Sequence, residues 1–117
     1  MKSSRAATNS KAEEELCRLQ AEFCKGMANP KRIHLLRSLE DGEKTVAELE
    51  KLTGLPQGNL SQHLALLRQL GLVKARRAGL NVYYDISDRR IVEACDLVRV
   101  CIAERLEASQ AMRALAR

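Results

Sequence analysis

The sequence is organised around a short break, Gly-Leu-Pro at residues 54–56, that separates two segments with helical spacing of apolar residues. Before the break, Val46, Leu49 and Leu52 recur every three residues, so they share one face of a helix. Glycine is favoured just after a helix because it adopts the left-handed conformation easily. Proline is favoured at a helix start because the first turn does not use its missing N–H. The break therefore predicts two short helices joined by a tight turn.

The segment after the break combines an apolar stripe with a polar leading end. Leu60, Leu64 and Leu67 are spaced to face the protein interior. The first turns carry short or planar hydrogen-bonding side chains: Gln57, Asn59, Ser61, Gln62 and His63. A helix, a tight turn and a second helix with a polar N-terminal end form the plan of a helix-turn-helix, whose second helix enters the major groove of DNA.

The residues before this motif predict two further helices. Residues 1–10 are small and polar, and we expect a disordered tail there. A helical pattern begins at Lys11, where Asn9 or Ser10 can act as the cap. Asn-Pro at residues 29–30 ends that helix and starts the next one.

After the motif, the pattern changes from helix to strand. Gly71 ends the second helix of the motif, and two strand-like runs follow at residues 72–77 and 82–86. The Gly-containing stretch 78–81 between them is typical of a hairpin turn. A hairpin placed directly after the helix-turn-helix is a wing.

A last helix begins at Ser87 or Asp88 and reaches about Ala114. Its apolar positions fall on two faces: Ile91, Cys95, Val98 and Ile102 on one, and Ala94, Leu97, Cys101 and Ala108 on the other. One small core cannot cover both faces, so we expect a homodimer through the first and last helices. The predicted fold is a mainly α, five-helix winged helix-turn-helix domain over residues 11–114.

Composition narrows the class of function. The net charge of +5 and the pI near 9.3 suit a polyanionic partner such as DNA. The chain has no apolar N-terminal run, so we expect a cytoplasmic protein that does not bind membranes. It also lacks a glycine-rich phosphate loop, a histidine cluster and a nucleophile with acid and histidine partners, which argues against an enzyme.

The order of elements and several motifs resemble the ArsR/SmtB family of small winged-helix repressors, over residues 19–103. The matching stretches are 27–32 (Met-Ala-Asn-Pro-Lys-Arg), 60–68 (Leu-Ser-Gln-His-Leu-Ala-Leu-Leu-Arg), 71–73 (Gly-Leu-Val), Arg76-Arg77, Gly79 and 82–84 (Val-Tyr-Tyr). The resemblance implies a homodimer that occupies a double-stranded operator and leaves it when a metal ion, metalloid or oxidant binds.

Two groups of side chains are the predicted DNA contacts. On the second helix of the motif, glutamine and asparagine can pair with adenine, and serine or histidine can reach phosphate or a base edge. Arg68, Lys74, Arg76 and Arg77 are placed for phosphate or minor-groove contacts. The complete set is Gln57, Asn59, Ser61, Gln62, His63, Arg68, Lys74, Arg76 and Arg77. We expect His34, on the preceding helix, to be a structural or surface residue rather than a metal ligand.

The metal sites that the family resemblance implies are both missing. Thr45 and Ala47 stand where the arsenite-binding members carry a Cys-x-Cys pair, and the last helix has no histidine for a zinc site. The four cysteines lie instead on the two terminal helices: Cys17, Cys24, Cys95 and Cys101. Along the helix axis, Cys17 and Cys24 are about 10 Å apart and Cys95 and Cys101 about 9 Å apart, which is too far for a disulfide within either helix.

These thiols leave three hypotheses. The leading one is a repressor that needs no cofactor and is released from its operator when arsenite, As(III), or another thiophilic metal binds the thiols. The second is a repressor of the same fold that senses oxidants or reactive sulfur through thiol chemistry. The third is an effector-independent DNA-binding architectural or regulatory module, in which the cysteines are small buried residues of the structure.

Overall fold

The computed structural model describes the backbone of residues 6–116 and the side chains of residues 10–115. The elements are α1 (Ala6–Cys24), α2 (Pro30–Ser38), β1 (Lys44–Thr45), α3 (Val46–Thr53), α4 (Gln57–Gln69), β2 (Val73–Ala78), β3 (Asn81–Ile86) and α5 (Arg90–Ala116). A 3-10 turn, Lys25–Met27, links α1 to α2. The chain divides into two compact units, the first ending at Ser87 and the second beginning at Asp88. The predicted helices and wing are confirmed, except that α1 ends at Cys24, before the predicted end at Asn29-Pro30.

Local signals account for the ends of the helix-turn-helix. The Thr45 side chain accepts a hydrogen bond from the Glu48 amide while the Glu48 carboxylate accepts one from the Thr45 amide, which forms a capping box at the start of α3. Gly54 ends α3 with φ of 72°, as its position predicts. Helix α4 ends in a Schellman motif, in which the Leu72 amide donates to the Leu67 carbonyl and the Gly71 amide to the Arg68 carbonyl.

The wing belongs to a three-stranded antiparallel sheet with the strand order β1-β3-β2. Ala78 pairs with Asn81, so the hairpin turn contains only Gly79 and Leu80, two residues fewer than the predicted turn. Gly79 has φ of 63° and Leu80 does not have a positive φ, which is the pattern of a type II′ turn. The sequence did not predict β1, because its two residues pair with β3 far along the chain.

The core of the first unit is built from leucine. Eight leucine side chains are at most 1% exposed: Leu35, Leu36, Leu39, Leu49, Leu60, Leu64, Leu67 and Leu72. Six of them lie in α2, α3 and α4, while Leu39 directly follows α2 and Leu72 directly precedes β2, so these elements share one core. Burying a leucine side chain contributes about 1.5–3 kcal/mol. This core therefore fixes α4 within the unit.

The start of α1 differs from the prediction. The helix begins at Ala6 rather than Lys11, so Asn9 and Ser10 lie inside it and neither is its cap. Ala6 and Ala7 are strong helix formers, which explains how the helix extends towards the N-terminus. Residues 1–5 of the predicted tail lie outside the described residues.

The second unit is a single helix, α5, of 27 residues. The Asp88 carboxylate caps its start by accepting a hydrogen bond from the Arg90 amide at 3.0 Å. Large apolar side chains remain exposed along the helix, including Leu97 at 72% and Val98 at 59%. No helix in the described part of the chain is both long and apolar enough to cross a membrane.

Candidate DNA-binding face and cysteine positions

One side of α4 is exposed along its whole length. We call it the reading face, and it consists of Gly58, Ser61, Gln62, Ala65, Arg68 and Gln69. These residues recur at intervals of three and four, opposite the buried Leu60, Leu64 and Leu67. The leucine core therefore directs the reading face away from the protein. Gln57 and Asn59 are exposed in the first turn beside it.

The polar groups at this end of α4 are available to bind another molecule. Within residues 10–115, the side chains of Gln57, Asn59, Ser61 and Gln62 make no hydrogen bond. Pro56 precedes α4 without a side-chain cap, so the first amides of the helix also lack a capping acceptor. Three amide side chains, a hydroxyl and free backbone N–H groups are suited to base edges and phosphate oxygens.

His63, which the sequence predicts as a DNA contact, is not fully exposed. It is half-buried at the edge of the reading face, because it falls beside the buried stripe of Leu60 and Leu64. Burial, the Arg32 guanidinium and the Lys31 ammonium lower its pKa below the ordinary value of 6.5. A neutral imidazole offers one donor and one acceptor, and it is a weaker phosphate ligand than a cation.

The wing presents its cations on opposite faces. Lys74 and Arg76 point to one side of β2, while Arg77 points to the other, because side chains alternate along a strand. Arg76 forms a two-point ion pair with Glu43 and lies over the Tyr83 ring, with its guanidinium carbon 4.9 Å from the ring centre. Arg77 has no ion-pair partner among the described residues.

Several residues of the site were not predicted from the sequence. Gly58, Ala65 and Gln69 belong to the reading face, and continuing the three-and-four spacing from Ser61 would have found them. Glu43 had no signal, because it lies 33 residues from its partner Arg76. The DNA contacts of these residues stay predictions.

The cysteines are free thiols in two separate units. On α1, Cys17 and Cys24 are exposed; on α5, Cys101 is exposed and Cys95 is half-buried. The Cys17 thiol donates a hydrogen bond to Glu13 at 3.5 Å, and chiefly this bond, together with the Glu13 charge, raises its pKa above the ordinary value of 9.0. Within one subunit, the residues that the structure describes form no group of three or more metal-binding side chains.

A helix-turn-helix with an exposed polar second helix, followed by a hairpin, defines a winged helix-turn-helix DNA-binding domain. Residues 29–75 match the family described as "Bacterial regulatory protein, arsR family". Together with the relatives described next, this match shows that the chain belongs to the arsR family of transcriptional regulators, whose members bind DNA and are not enzymes.

Three relatives illustrate the similarity. The chain is 40% identical over 94 residues to the uncharacterised HTH-type transcriptional regulator Rv0081 of Mycobacterium tuberculosis, covering 80% of this chain and 82% of that protein. The match to the crystal structure of Rv0081 has a TM-score of 0.70 and covers 79% of this chain and 93% of the Rv0081 chain. The homodimeric winged helix-turn-helix domain of Mb0332 from Mycobacterium bovis has a TM-score of 0.73 at 34% identity, covering 81% of this chain and 88% of that one.

The third relative is a probable mercury resistance operon repressor from Streptomyces lividans. It is 35% identical over 88 residues, which cover 75% of this chain and 70% of that protein.

Proposed function

We propose that this protein is a homodimeric repressor that recognises an operator with the reading face of α4. The observation that carries the proposal is the set of exposed polar side chains at the start of α4, which have no partner among the described residues. Leaving such groups without ligands has no benefit for the fold, whereas base edges supply the donors and acceptors that they match. Family membership supports the same role.

The exposed apolar side chains support the homodimer. On α1, Leu16 is 58% exposed and Leu19 is 50% exposed, and on α5 the large apolar residues at positions 97, 98, 100, 102 and 106 are all exposed. Covering apolar surface of this kind is the main driving force of stable association. A twofold dimer presents two copies of α4, which suits a pseudo-palindromic operator with half-sites one helical turn apart.

The test is operator selection from a random duplex library, followed by fluorescence anisotropy on the selected site. We expect Gln62→Ala to weaken binding to the operator by about 1–3 kcal/mol, through loss of the contact to one base pair. Binding to an unrelated duplex should change little. Gln110→Ala, at an exposed position of α5 outside the reading face, is the matched control. A wild-type protein that is monomeric by light scattering, or that binds all duplexes equally at moderate salt, would contradict the proposal.

For the inducer, we propose a thiophilic ion that binds cysteine thiols. Two observations support this choice: the described cysteines lie only on α1 and α5, and a relative is named as a probable mercury resistance operon repressor. Thiolates select soft metal ions and metalloids. At Cys17, the hydrogen bond to Glu13 disfavours the thiolate and so works against metal binding at that position.

A matched set of serine variants separates the inducer hypotheses. Arsenite, mercuric ion, zinc and a polysulfide donor are each added to the operator complex. We expect release by a thiophilic ion in the wild type, and none in the Cys95→Ser/Cys101→Ser variant. Release by the polysulfide donor alone would favour the reactive-sulfur sensor, and indifference to every reagent would favour the effector-independent module. Release that persists in the double variant would contradict a role of these two thiols.

A further inference from the structure

Arg76, one of the wing cations predicted to contact DNA, is already paired with Glu43. Arg76 Nη2 donates to Glu43 Oε1 at 2.5 Å, and Arg76 Nε donates to Glu43 Oε2 at 3.3 Å. The guanidinium also lies over the ring of Tyr83, its neighbour across the strand pair. Two hydrogen bonds and a ring contact therefore hold this side chain in one place.

The carboxylate occupies the same donors that a phosphate would use. An arginine side chain binds carboxylate and phosphate alike through two parallel N–H groups, so the two acceptors exclude each other at those donors. Arg76 hydrogen bonds, the Arg76 charge and the Lys74 charge all lower the pKa of Glu43 below 4.5, so Glu43 is ionised at neutral pH. The Glu43 carboxylate can therefore compete with DNA phosphate for Arg76 at neutral pH.

We propose that Glu43 is an intramolecular competitor of DNA phosphate for Arg76, and that it lowers the sequence-independent part of DNA affinity. The inference rests on the proposed DNA-binding function. The wing then makes one phosphate contact fewer per subunit than its sequence offers. Because phosphate contacts carry no sequence information, the restraint makes a larger share of the binding free energy depend on the reading face.

The salt dependence of binding measures this restraint directly. Each phosphate contact adds about 0.9 to the slope of log affinity against log salt. We expect Glu43→Gln to steepen the slope by about 0.9 per subunit, for operator and unrelated duplexes alike. Relative to wild type, the gain in affinity then shrinks between 50 and 200 mM salt by about 3.5-fold per subunit, or about twelvefold for a dimer.

The arginine variant distinguishes release of Arg76 from simple loss of a negative charge. Arg76→Gln alone should leave the wild-type slope unchanged, and the Glu43→Gln/Arg76→Gln variant should return to that slope. Glu15→Gln is the matched control: Glu15 forms the same two-point pair with Arg18, at 2.5 and 3.1 Å, on α1. It removes the same charge and should not steepen the slope.

Three outcomes would overturn the inference. The first is an unchanged slope in Glu43→Gln; the second is a slope reduced by Arg76→Gln alone, because Arg76 would then leave Glu43 and contact phosphate in the wild type. The third is a steeper slope that persists in the double variant, because Glu43 would then act by its own repulsion. Selective operator binding by the wild type keeps the proposed function intact in all three cases.

Discussion

Replacing Gly26 with alanine should destabilise the first unit more than an ordinary surface change would. Gly26 is buried in the 3-10 turn between α1 and α2. An added Cβ atom would overlap Leu72 Cδ1 and lie 3.1 Å from Leu67 Cδ2. Both leucines are 0% exposed, so neither can move without displacing other core side chains. Overpacking of this kind costs about 1–3 kcal/mol, and we expect the upper part of that range.

Gly58→Ala is the matched control for this experiment. Gly58 lies in α4, and an added Cβ atom would meet nothing within 4 Å. Alanine is favoured over glycine inside a helix by up to about 1 kcal/mol, so this variant should be slightly stabilised. Urea unfolding followed by circular dichroism measures both changes. The protein concentration must be the same for all variants, because the unfolding of a dimer depends on it.

The two variants are expected to change the free energy of unfolding in opposite directions, so the experiment can refute the reasoning. A Gly26→Ala variant as stable as the wild type would show that the turn does not pack against Leu67 and Leu72 as described. Equal losses in both variants would show that the cost does not come from core overlap, because only Gly26 adjoins the buried leucines. Only a loss at Gly26 without one at Gly58 agrees with the structure.

Three other predictions concern the wing and two helix starts. Arg77→Gln should reduce the salt slope of DNA binding by about 0.9 per subunit, measured by anisotropy, because Arg77 is free to reach phosphate; an unchanged slope would remove it from the interface. Thr45→Ala should cost about 1 kcal/mol in urea unfolding through loss of the cap of α3, whereas Thr45→Ser should retain stability. Arg90 hydrogen bonds lower the Asp88 pKa from 3.8 to about 2, so the stabilisation that ionised Asp88 provides is complete above pH 3.8 and is lost as pH falls towards 2. In an NMR titration, Arg90→Gln should move this pKa back towards 3.8, and an unchanged pKa would contradict the pairing.

The fold could be predicted largely because its signals are local. Gly54 ends α3 through its left-handed backbone, and the Asn-Pro pair at residues 29–30 starts α2 through the Asn29 side-chain cap and the proline. The two-residue strand β1 could not be predicted, because it has no pattern of its own and exists through its pairing with β3. The early start of α1 was missed since Asn9 and Ser10 can serve as caps or lie within a helix.

The candidate site likewise has a part that the sequence could predict and a part that it could not. The reading face follows from helical spacing, so most of its polar members could be named from the sequence. The state of Arg76 could not, because Glu43 approaches from 33 residues away. The lowered pKa of His63 likewise depends on burial and on Arg32, which lies on another helix. Charge and spacing identify candidate contacts, but only the fold shows which of them are already engaged within the protein.

The turn between α1 and α2 bears on how an inducer could act on α4. Gly26 is buried close to Leu67 of α4, without room for one additional carbon atom. Arg32 donates hydrogen bonds to the Gly26 and Lys25 carbonyls at 3.2 and 2.9 Å, and its charge also reaches His63 of α4. A close-packed contact of this kind transmits displacement rather than absorbing it. For the proposed inducer, we expect a shift of the C-terminal end of α1 to reach the reading face through this contact, so that the ligand need not touch α4.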